Sequence, residues 1–217
     1  MNKEDLFKDM TQAIVDGDRK ATESLAMAAL TENLNLHDVI EKGYIPGIQK
    51  VGDLWERGDY FLPELITSAE CMKAAMAVLR PALVRARLAD ISLGKVVIGT
   101  IEGDIHDIGK NLVASMLSAN GFEVMDLGAD VKLDRFIQAA LEMKADFVCL
   151  SALLTTTMLG QRRFMEMLKE RGLRHQLKVL VGGAPVNQKW ADSIGADGYA
   201  ENALAAVKLA KSLKGMR

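Results

Sequence analysis

The sequence predicts an α/β protein in two parts, a four-helix bundle over residues 1–90 and a doubly wound, five-stranded parallel sheet over residues 91–217. In the first part, apolar residues recur every three or four positions, which is typical of amphipathic helices. In the second part, short continuous apolar runs alternate with helical patterns, as in a parallel sheet covered on both faces. With 49% apolar and 26% charged residues, the composition is that of a globular protein.

The helical part is divided by three predicted breaks. Residues 17–18, 33–36 and 58–60 contain Gly, Asn or Asp, which favour turns, and they separate four short helices packed as a bundle. The apolar stripe of the fourth helix consists of Leu62, Leu65, Ile66, Ala69, Met72, Met76, Leu79 and Leu83.

Four residues locate the ends of these helices. Asp18 and Asn35 are predicted N-caps of the second and third helices. Pro63 suits the first turn of the fourth helix, where its missing N–H costs nothing. Pro46 falls inside the third helix and predicts a kink or a break there.

Five strands and five helices alternate in the second part. The predicted strands are 95–100, 122–127, 146–151, 178–181 and, more weakly, 198–200. The predicted helices are 108–120, 133–144, 158–171, 187–194 and 202–213. Five strands suit the flavodoxin-like (Rossmann-like) order 2-1-3-4-5, which places a ligand crevice at the carboxyl ends of the first and third strands. The charged stretch 85–94 is the predicted linker and hinge region.

Charge and composition exclude several classes of function. The net charge is −2, so the basic excess of a dedicated nucleic-acid binder is missing. No apolar run reaches the ~18 residues of a membrane span, and the N-terminus lacks the apolar stretch of a signal peptide. We therefore expect a cytoplasmic protein without nucleic-acid or membrane partners. Cys71 and Cys149 lie 78 positions apart, which is not a metal or redox spacing, and we expect inert packing thiols.

The loop EGDIHDIGKN (residues 102–111) follows the first strand and lies at the expected crevice. It is not a phosphate loop, because five residues separate Gly103 from Gly109 and Asn111 follows the lysine. A dinucleotide fingerprint is also absent after this strand. Asp104 and His106 suit another task, since a carboxylate that accepts one ring N–H leaves the other ring nitrogen free to ligate a metal. One histidine without a His/Cys cluster implies a metal that arrives in a macrocycle.

These residues resemble a known family. The pattern Asp104-x-His106-x-x-Gly109, with Ser151-x-Leu153 after the third strand and Gly182-Gly183 after the fourth, is similar to the signature of cobalamin-binding domains. The string GDIHDIGKNLV resembles the loop of cobalamin-dependent methionine synthase and of small corrinoid proteins of methyltransferase systems. GDLW (52–55) and YFLPE (60–64) resemble the helical cap of methyl-transferring members, so the resemblance covers about residues 3–213.

The resemblance implies a cofactor, cobalamin in its methylcobalamin form, and a set of contacts. His106 is the implied lower ligand of cobalt, Asp104 orients it, and Ser151 extends the hydrogen-bonded relay. The nucleotide tail is expected beside Ser151, Leu153, Thr155, Gly182 and Gly183, where glycine makes room for a bulky base. The implied cofactor contacts of the loop are Gly103, Asp104, Ile105, His106, Asp107, Ile108 and Gly109. Trp55 and Leu62 match the cap positions that shield the upper face of the cofactor.

The implied function is that of a methyl carrier. Cobalt(I) accepts a methyl group from a substrate-specific corrinoid methyltransferase, and a second methyltransferase passes it to a thiol or to a tetrahydrofolate-type acceptor. A reductive activase is the third implied partner. The methyl donor (methylamine, methanol, betaine or a methoxy-aromatic compound) is left open. The alternatives are a cobalamin-dependent sensor and the small subunit of a radical mutase, which usually lacks the cap.

Plainer interpretations of the same residues stay open. Asp104 can cap the helix that follows the loop, and Ser151 can be an ordinary residue at a strand end. The threonines 155–157 can simply begin a helix, and Trp55 can belong to the bundle core. Met72 and Met76 are expected in the core, and His37 and His175 at the surface.

Overall fold

The first unit is built from helices in the computed structural model, which describes residues 3–85 and 92–215. Its α-helices are α1 (Lys3–Val15), α2 (Arg19–Thr31), α3 (Leu36–Asp38), α4 (Ile45–Glu56) and α5 (Leu62–Arg85). A π-helical segment, Val39–Tyr44, joins α3 to α4, so these three elements together form the predicted third helix. The fourth predicted helix, α5, runs for 24 residues and is therefore longer than the predicted short helix. Pro81 lies inside it.

The irregularity predicted at Pro46 is confirmed as a widened turn. Ile45 donates its backbone N–H to the Ile40 carbonyl, five residues back, and α4 then begins with Pro46 in its first turn. Because Pro46 lacks an N–H, one helical hydrogen bond is missing there. In the widened turn, the Gly43 carbonyl accepts a hydrogen bond from the Thr11 hydroxyl at 2.7 Å. The predicted N-caps are also confirmed, since Asp18 accepts from the Ala21 N–H and Asn35 from the Asp38 N–H.

The core of the helical unit lies between α1, α2, α4 and α5. Leu6, Met10 and Ile14 are fully buried along one face of α1. Gly47 lets α4 approach closely, because a Cβ at this position would lie 2.7 Å from the Ile14 Cβ. The stripe of α5 is buried at Leu65, Ala69, Met72, Leu79 and Leu83. Its first turns depart from this pattern, and Leu62 and Ile66 stay exposed.

The second unit is a five-stranded parallel sheet flanked by helices. Its strands are β1 (Lys95–Thr100), β2 (Glu123–Asp126), β3 (Phe147–Ser151), β4 (Lys178–Gly182) and β5 (Gly198–Tyr199). Its helices are α6 (Ile108–Ala119), α7 (Leu133–Met143), α8 (Thr155–Glu170), α9 (Gln188–Ile194) and α10 (Ala203–Leu213). The strand order is β2-β1-β3-β4-β5 with every pair parallel, which confirms the predicted order.

One predicted boundary is wrong in a way that matters for the site. Helix α8 begins at Thr155, three residues before the predicted start at Met158. Threonine is a weak helix former, so the run Thr155–Thr157 favours a loop by propensity. Tertiary contacts override that preference, because the Thr157 hydroxyl bonds both to the Leu154 carbonyl and to a carboxylate of another loop.

Three further expectations concern the linker, membrane spans and the two cysteines. Most of the predicted linker falls on residues 86–91, outside the described residues, so the boundary at residue 90 and the hinge stay predictions. Along the described ranges, no helix is both long and apolar enough to cross a bilayer. Both cysteines are buried and unpaired, as expected.

Candidate functional site

The loop 101–107 lies at the point of the sheet where the strand order changes direction. It follows β1, whose neighbours β2 and β3 are reached by connections running to opposite sides. Such a switch point leaves a crevice at the carboxyl ends of the strands. Two side chains outside the loop form hydrogen bonds with its backbone. The Thr100 hydroxyl donates to the His106 carbonyl at 3.0 Å, and the Gly103 N–H donates to Asp130 Oδ1 at 2.7 Å.

His106 and Asp104 form a hydrogen-bonded pair within this loop. His106 Nδ1 lies 2.7 Å from Asp104 Oδ1, which also accepts the His106 backbone N–H at 3.0 Å. The Asp104 side chain is fully buried, whereas 46% of the histidine side chain is exposed. The carboxylate therefore engages Nδ1, and Nε2 is the ring nitrogen available to an outside ligand.

The second oxygen of Asp104 is bound by the start of α8. Oδ2 accepts the Thr157 hydroxyl at 2.6 Å and the Leu153 N–H at 2.7 Å, with the Leu154 N–H at 3.3 Å. Burial by itself would raise the pKa of this carboxyl. The hydrogen bonds from Thr157, Leu153 and His106 outweigh burial and hold the pKa of Asp104 well below its usual value. Asp104 is therefore held as a carboxylate against Nδ1 of His106.

The hydroxyl in this relay is that of Thr157, and this corrects the role predicted for Ser151. Ser151 lines the cavity beside His106, and no bond joins it to Asp104 among the described residues. Ser151 is the last residue of β3, whereas Thr157 comes later, in the first turn of α8. Because α8 begins at Thr155, the Thr157 side chain lies over the loop. The sequence signal for this contact was the threonine run 155–157 soon after β3, although the low helix propensity of threonine favours a loop there.

A cavity of about 760 Å³ opens beside His106, between the sheet and helices α6 and α10. Its floor is one row of the sheet, Ile98, Cys149 and Leu180, which are paired across three strands. Burial raises the pKa of the Cys149 thiol to about 12, so this floor carries no charge. Nearer the mouth, the next cavity-facing pair of the sheet is Ser151 with Gly182. Because these residues have a small side chain or none, they leave room for the cavity.

Nine of the predicted contact residues line this cavity. They are Ile105, His106, Asp107, Ile108, Gly109, Ser151, Leu153, Gly182 and Gly183. Gly103, Asp104 and Thr155 do not line it, and of these Asp104 is buried while Gly103 and Thr155 are exposed. In the helical unit, Trp55 is half-buried near the end of α4 and Leu62 is exposed at the start of α5, and their roles stay predictions.

Sequence reasoning missed several residues of the site. Besides Thr157, Thr100 and Asp130, these include Lys110, whose buried ammonium lies between Asn111 and Asp126. A buried lysine needs such a partner, and here the pair connects the first turn of α6 to the end of β2. No local pattern marked the pair, because Asp126 lies 16 positions further along the chain.

Two predicted glycines turn out to serve different purposes. Gly183 has φ +120°, and a Cβ there would lie 1.8 Å from the Ala152 carbonyl oxygen. The protein's own backbone therefore requires this glycine, whatever binds nearby. Gly109 is the opposite case, since a Cβ there would meet nothing within 4 Å. Gly109 lies in the first turn of α6, and the open space beside it leaves room for a bound group.

The variant Gly109→Ala tests whether the glycine at this position is needed by the protein's own fold or by a bound ligand. We expect the ligand-free protein to gain about 0.4–1 kcal/mol of unfolding free energy, because alanine lowers the conformational entropy of the unfolded chain. We expect cobalamin to bind more weakly, because the new methyl group projects into the open space. Urea unfolding and a spectroscopic cobalamin titration measure the two effects. Ala114→Gly, on the same helix but outside the cavity lining, is the control, and equal cobalamin affinity of Gly109→Ala and wild type would contradict the prediction.

The donor set and its surroundings fit a metal carried in a macrocycle. Among residues 3–85 and 92–215, no three His, Cys, Asp or Glu side chains gather to hold an ion by themselves. Beside the one available imidazole lie four exposed apolar side chains, Ile105, Ile108, Leu153 and Leu154, the first two 76% and 80% exposed. A broad apolar group with a metal at its centre would cover these side chains and meet Nε2.

Comparison with known proteins agrees with this geometry. Family models described as B12 binding domains match residues 6–80 and 94–208. A corrinoid protein of Desulfitobacterium hafniense is 47% identical over 211 residues, covering 97% of this chain and 98% of that protein. Trimethylamine corrinoid protein 2 of Methanosarcina acetivorans is 48% identical over 210 residues, covering 97% of each chain.

A solved structure extends the similarity to three dimensions. A chain of the methanol:cobalamin methyltransferase complex of Methanosarcina barkeri superposes with a TM-score of 0.87 at 31% identity, covering 99% of this chain and 81% of that one. The fold and the site thus define a cobalamin-binding protein with a helical module and a Rossmann-like module. Within that class, the chain belongs to the family of corrinoid proteins of methyltransferase systems.

Proposed function

We propose that this protein is a methyl carrier that works between two methyltransferases. One observation carries the proposal, the pairing of His106 with the buried Asp104 carboxylate at the mouth of a cavity of about 760 Å³. An exposed imidazole with a fixed ring orientation is suited to ligate a metal, and the cavity offers room for a nucleotide tail. When bound, the corrinoid supplies a cobalt ion that accepts a methyl group and gives it up again.

The residues of the site divide this work. His106 would hold the metal through Nε2, while Asp104, in contact with Nδ1, fixes the orientation of the ring. The bonds from Thr157 and Leu153 keep that carboxylate ionised and in place. The exposed apolar side chains of Ile105, Ile108 and Leu153 would be covered by the bound group. The small Ser151 and Gly182 leave the cavity open for the tail.

We propose three partners for the carrier. The relatives named for trimethylamine and dimethylamine, and the methanol methyltransferase complex, support a substrate-specific methyltransferase as the source of the methyl group. The same names support a methylamine or methanol as the donor. A second methyltransferase takes the group to a thiol or a tetrahydrofolate-type acceptor, and a reductive activase restores the reduced cofactor. Contact of Trp55 and Leu62 of the helical module with the corrinoid stays part of the proposal.

Stepwise reconstitution tests this function. The protein is loaded with cobalamin, reduced, and mixed with a methylamine or methanol methyltransferase and its substrate, and methylation is read from the visible spectrum. An acceptor methyltransferase with a thiol or with tetrahydrofolate is then added, and loss of the methylated spectrum is measured. We expect stoichiometric methylation with one donor system and turnover with one acceptor. Tight binding of an adenosylated corrinoid without methylation by any system would favour the sensor or the mutase-subunit alternative.

A further inference from the structure

A buried glutamine lies behind the cavity wall. Gln161 of α8 has no exposed surface, although its side chain is a polar amide. Burying an amide is costly unless its donors and acceptor are paired, and here they are. Gln161 Nε2 donates to the Leu150 carbonyl at 3.1 Å and to the Gly182 carbonyl at 3.2 Å.

These two carbonyls belong to neighbouring strands at the point where the strands stop pairing. Leu150 is the penultimate residue of β3, and Gly182 is the last residue of β4. The final register pair of the two strands is Ser151 with Gly182, and the Ala152 N–H makes one more bond to the Gly182 carbonyl at 3.2 Å. The Gln161 amide therefore bridges the seam between β3 and β4 at its end.

The orientation of the amide is determined by a third group. Trp190 Nε1 donates to Gln161 Oε1 at 3.0 Å, which leaves Nε2 facing the two carbonyls. The guanidinium of Arg162 lies 4.6 Å from the centre of the Trp190 ring. A cation over an aromatic face is attractive, so the indole is held in turn from the neighbouring position of α8. The bridge is thus a connected network from the helix surface to the seam.

The seam is also the wall of the cavity on the other face of the sheet. Successive residues of a strand alternate between faces, so Leu150 packs into the core with Phe164 while Ser151 faces the cavity. Gly182 lines the cavity without a side chain. A glycine restricts its own backbone less than any other residue, so its peptide orientation depends on its hydrogen bonds.

From this network we infer that Gln161 is a positioning residue for the nucleotide tail of the corrinoid. It holds the end of β4 against β3 from behind, so that Ser151 and Gly182 keep the shape of the cavity wall. The inference rests on the proposed function, in which the tail occupies this cavity. It concerns the tail alone, because the side-chain bonds of Gln161 go to β3, β4 and Trp190 and not to the loop that carries His106.

Comparing a complete corrinoid with a tailless one isolates this role. Gln161→Leu removes both donors at similar volume, and dissociation constants for cobalamin and for cobinamide, which lacks the nucleotide tail, are measured by spectroscopic titration. We expect Gln161→Leu to weaken cobalamin binding about tenfold, the effect of losing a buried hydrogen bond, and to leave cobinamide binding within about threefold. Trp190→Phe keeps Gln161 but removes the donor to Oε1, and a smaller loss in the same direction is expected.

Phe164→Leu is the matched control, because Phe164 is fully buried on the same helix and its side chain cannot hydrogen-bond to the seam. It is expected to lower the melting temperature without changing the ratio of the two dissociation constants. A purely structural role of Gln161 would give the same result as this control, and that outcome would overturn the inference. Equal binding of cobalamin and cobinamide by the wild type would instead overturn the placement of the tail, and the inference with it. Should Gln161→Leu fail to fold, Trp190→Phe decides the question by the same ratio.

Discussion

The variant His106→Ala is expected to lose the visible bands of a histidine-ligated corrinoid and to transfer methyl groups far more slowly than wild type. His106 offers the exposed ring nitrogen at the mouth of the cavity, and its other nitrogen is engaged by Asp104 at 2.7 Å. Loss of an outer-shell partner already costs a metal site about 10–100-fold, so losing the ligand itself is expected to reach the upper end of that range. Cobalamin titration and the rate of methylation by a partner methyltransferase measure both effects.

His175→Ala is the control for this variant. His175 is one of the three histidines of the chain and is exposed, with no part in the cavity. It is expected to match wild type in spectrum, affinity and rate. A His106→Ala protein with an unchanged spectrum and unchanged methyl cycling would show that the imidazole is not the ligand. Loss of corrinoid binding in the control as well would point to a general effect on folding.

The second large effect is expected for Asp104→Asn, and it falls on stability as well as on binding. The carboxylate accepts bonds from the Thr157 hydroxyl, from the Leu153 N–H and from His106, while its side chain is fully buried. An asparagine amide places its own N–H groups against at least one of these donors. Because hydrogen bonds to a charged group are worth about 1.5–3 kcal/mol each, we expect a loss of about 2–4 kcal/mol in unfolding free energy. Urea unfolding of the ligand-free protein measures it.

Corrinoid binding provides the second measurement for Asp104→Asn. The imidazole loses the group that orients it, so we expect about 10–100-fold weaker binding of cobalamin. Asp192→Asn is the control, because Asp192 is exposed and accepts a side-chain bond from Gln188.

Thr157→Val, with Thr157→Ser as its conservative rescue, tests the relay through Thr157. If Ser151→Ala weakened the histidine-ligated spectrum and Thr157→Val did not, the assignment of the relay to Thr157 would be wrong.

Most of the fold was predictable because it depends on patterns that are local in the chain. Continuous apolar runs between amphipathic helices predicted five parallel strands in the order observed. Asp18 and Asn35 act as caps across one helical turn, so their roles were visible in the sequence. The position of the loop 102–111 directly after the first strand marked it as part of the crevice. Asp104 and His106 lie two positions apart, and their contact was therefore predictable from the sequence alone.

The contacts that complete the site were decided by the tertiary structure alone. Thr157 meets Asp104 across 53 positions, and it does so because the packing of α8 against the sheet brings the first turn of that helix over the loop. The same packing buries Gln161 behind the β3–β4 seam. The reason for Gly183 is a backbone approach to Ala152 rather than a ligand. The sequence by itself determined the order of the elements and the pairing of His106 with Asp104, since periodicity and short spacings act locally. Which hydroxyl, amide and glycine support that histidine and its cavity depended on distances between segments far apart in the chain, and only packing sets those distances.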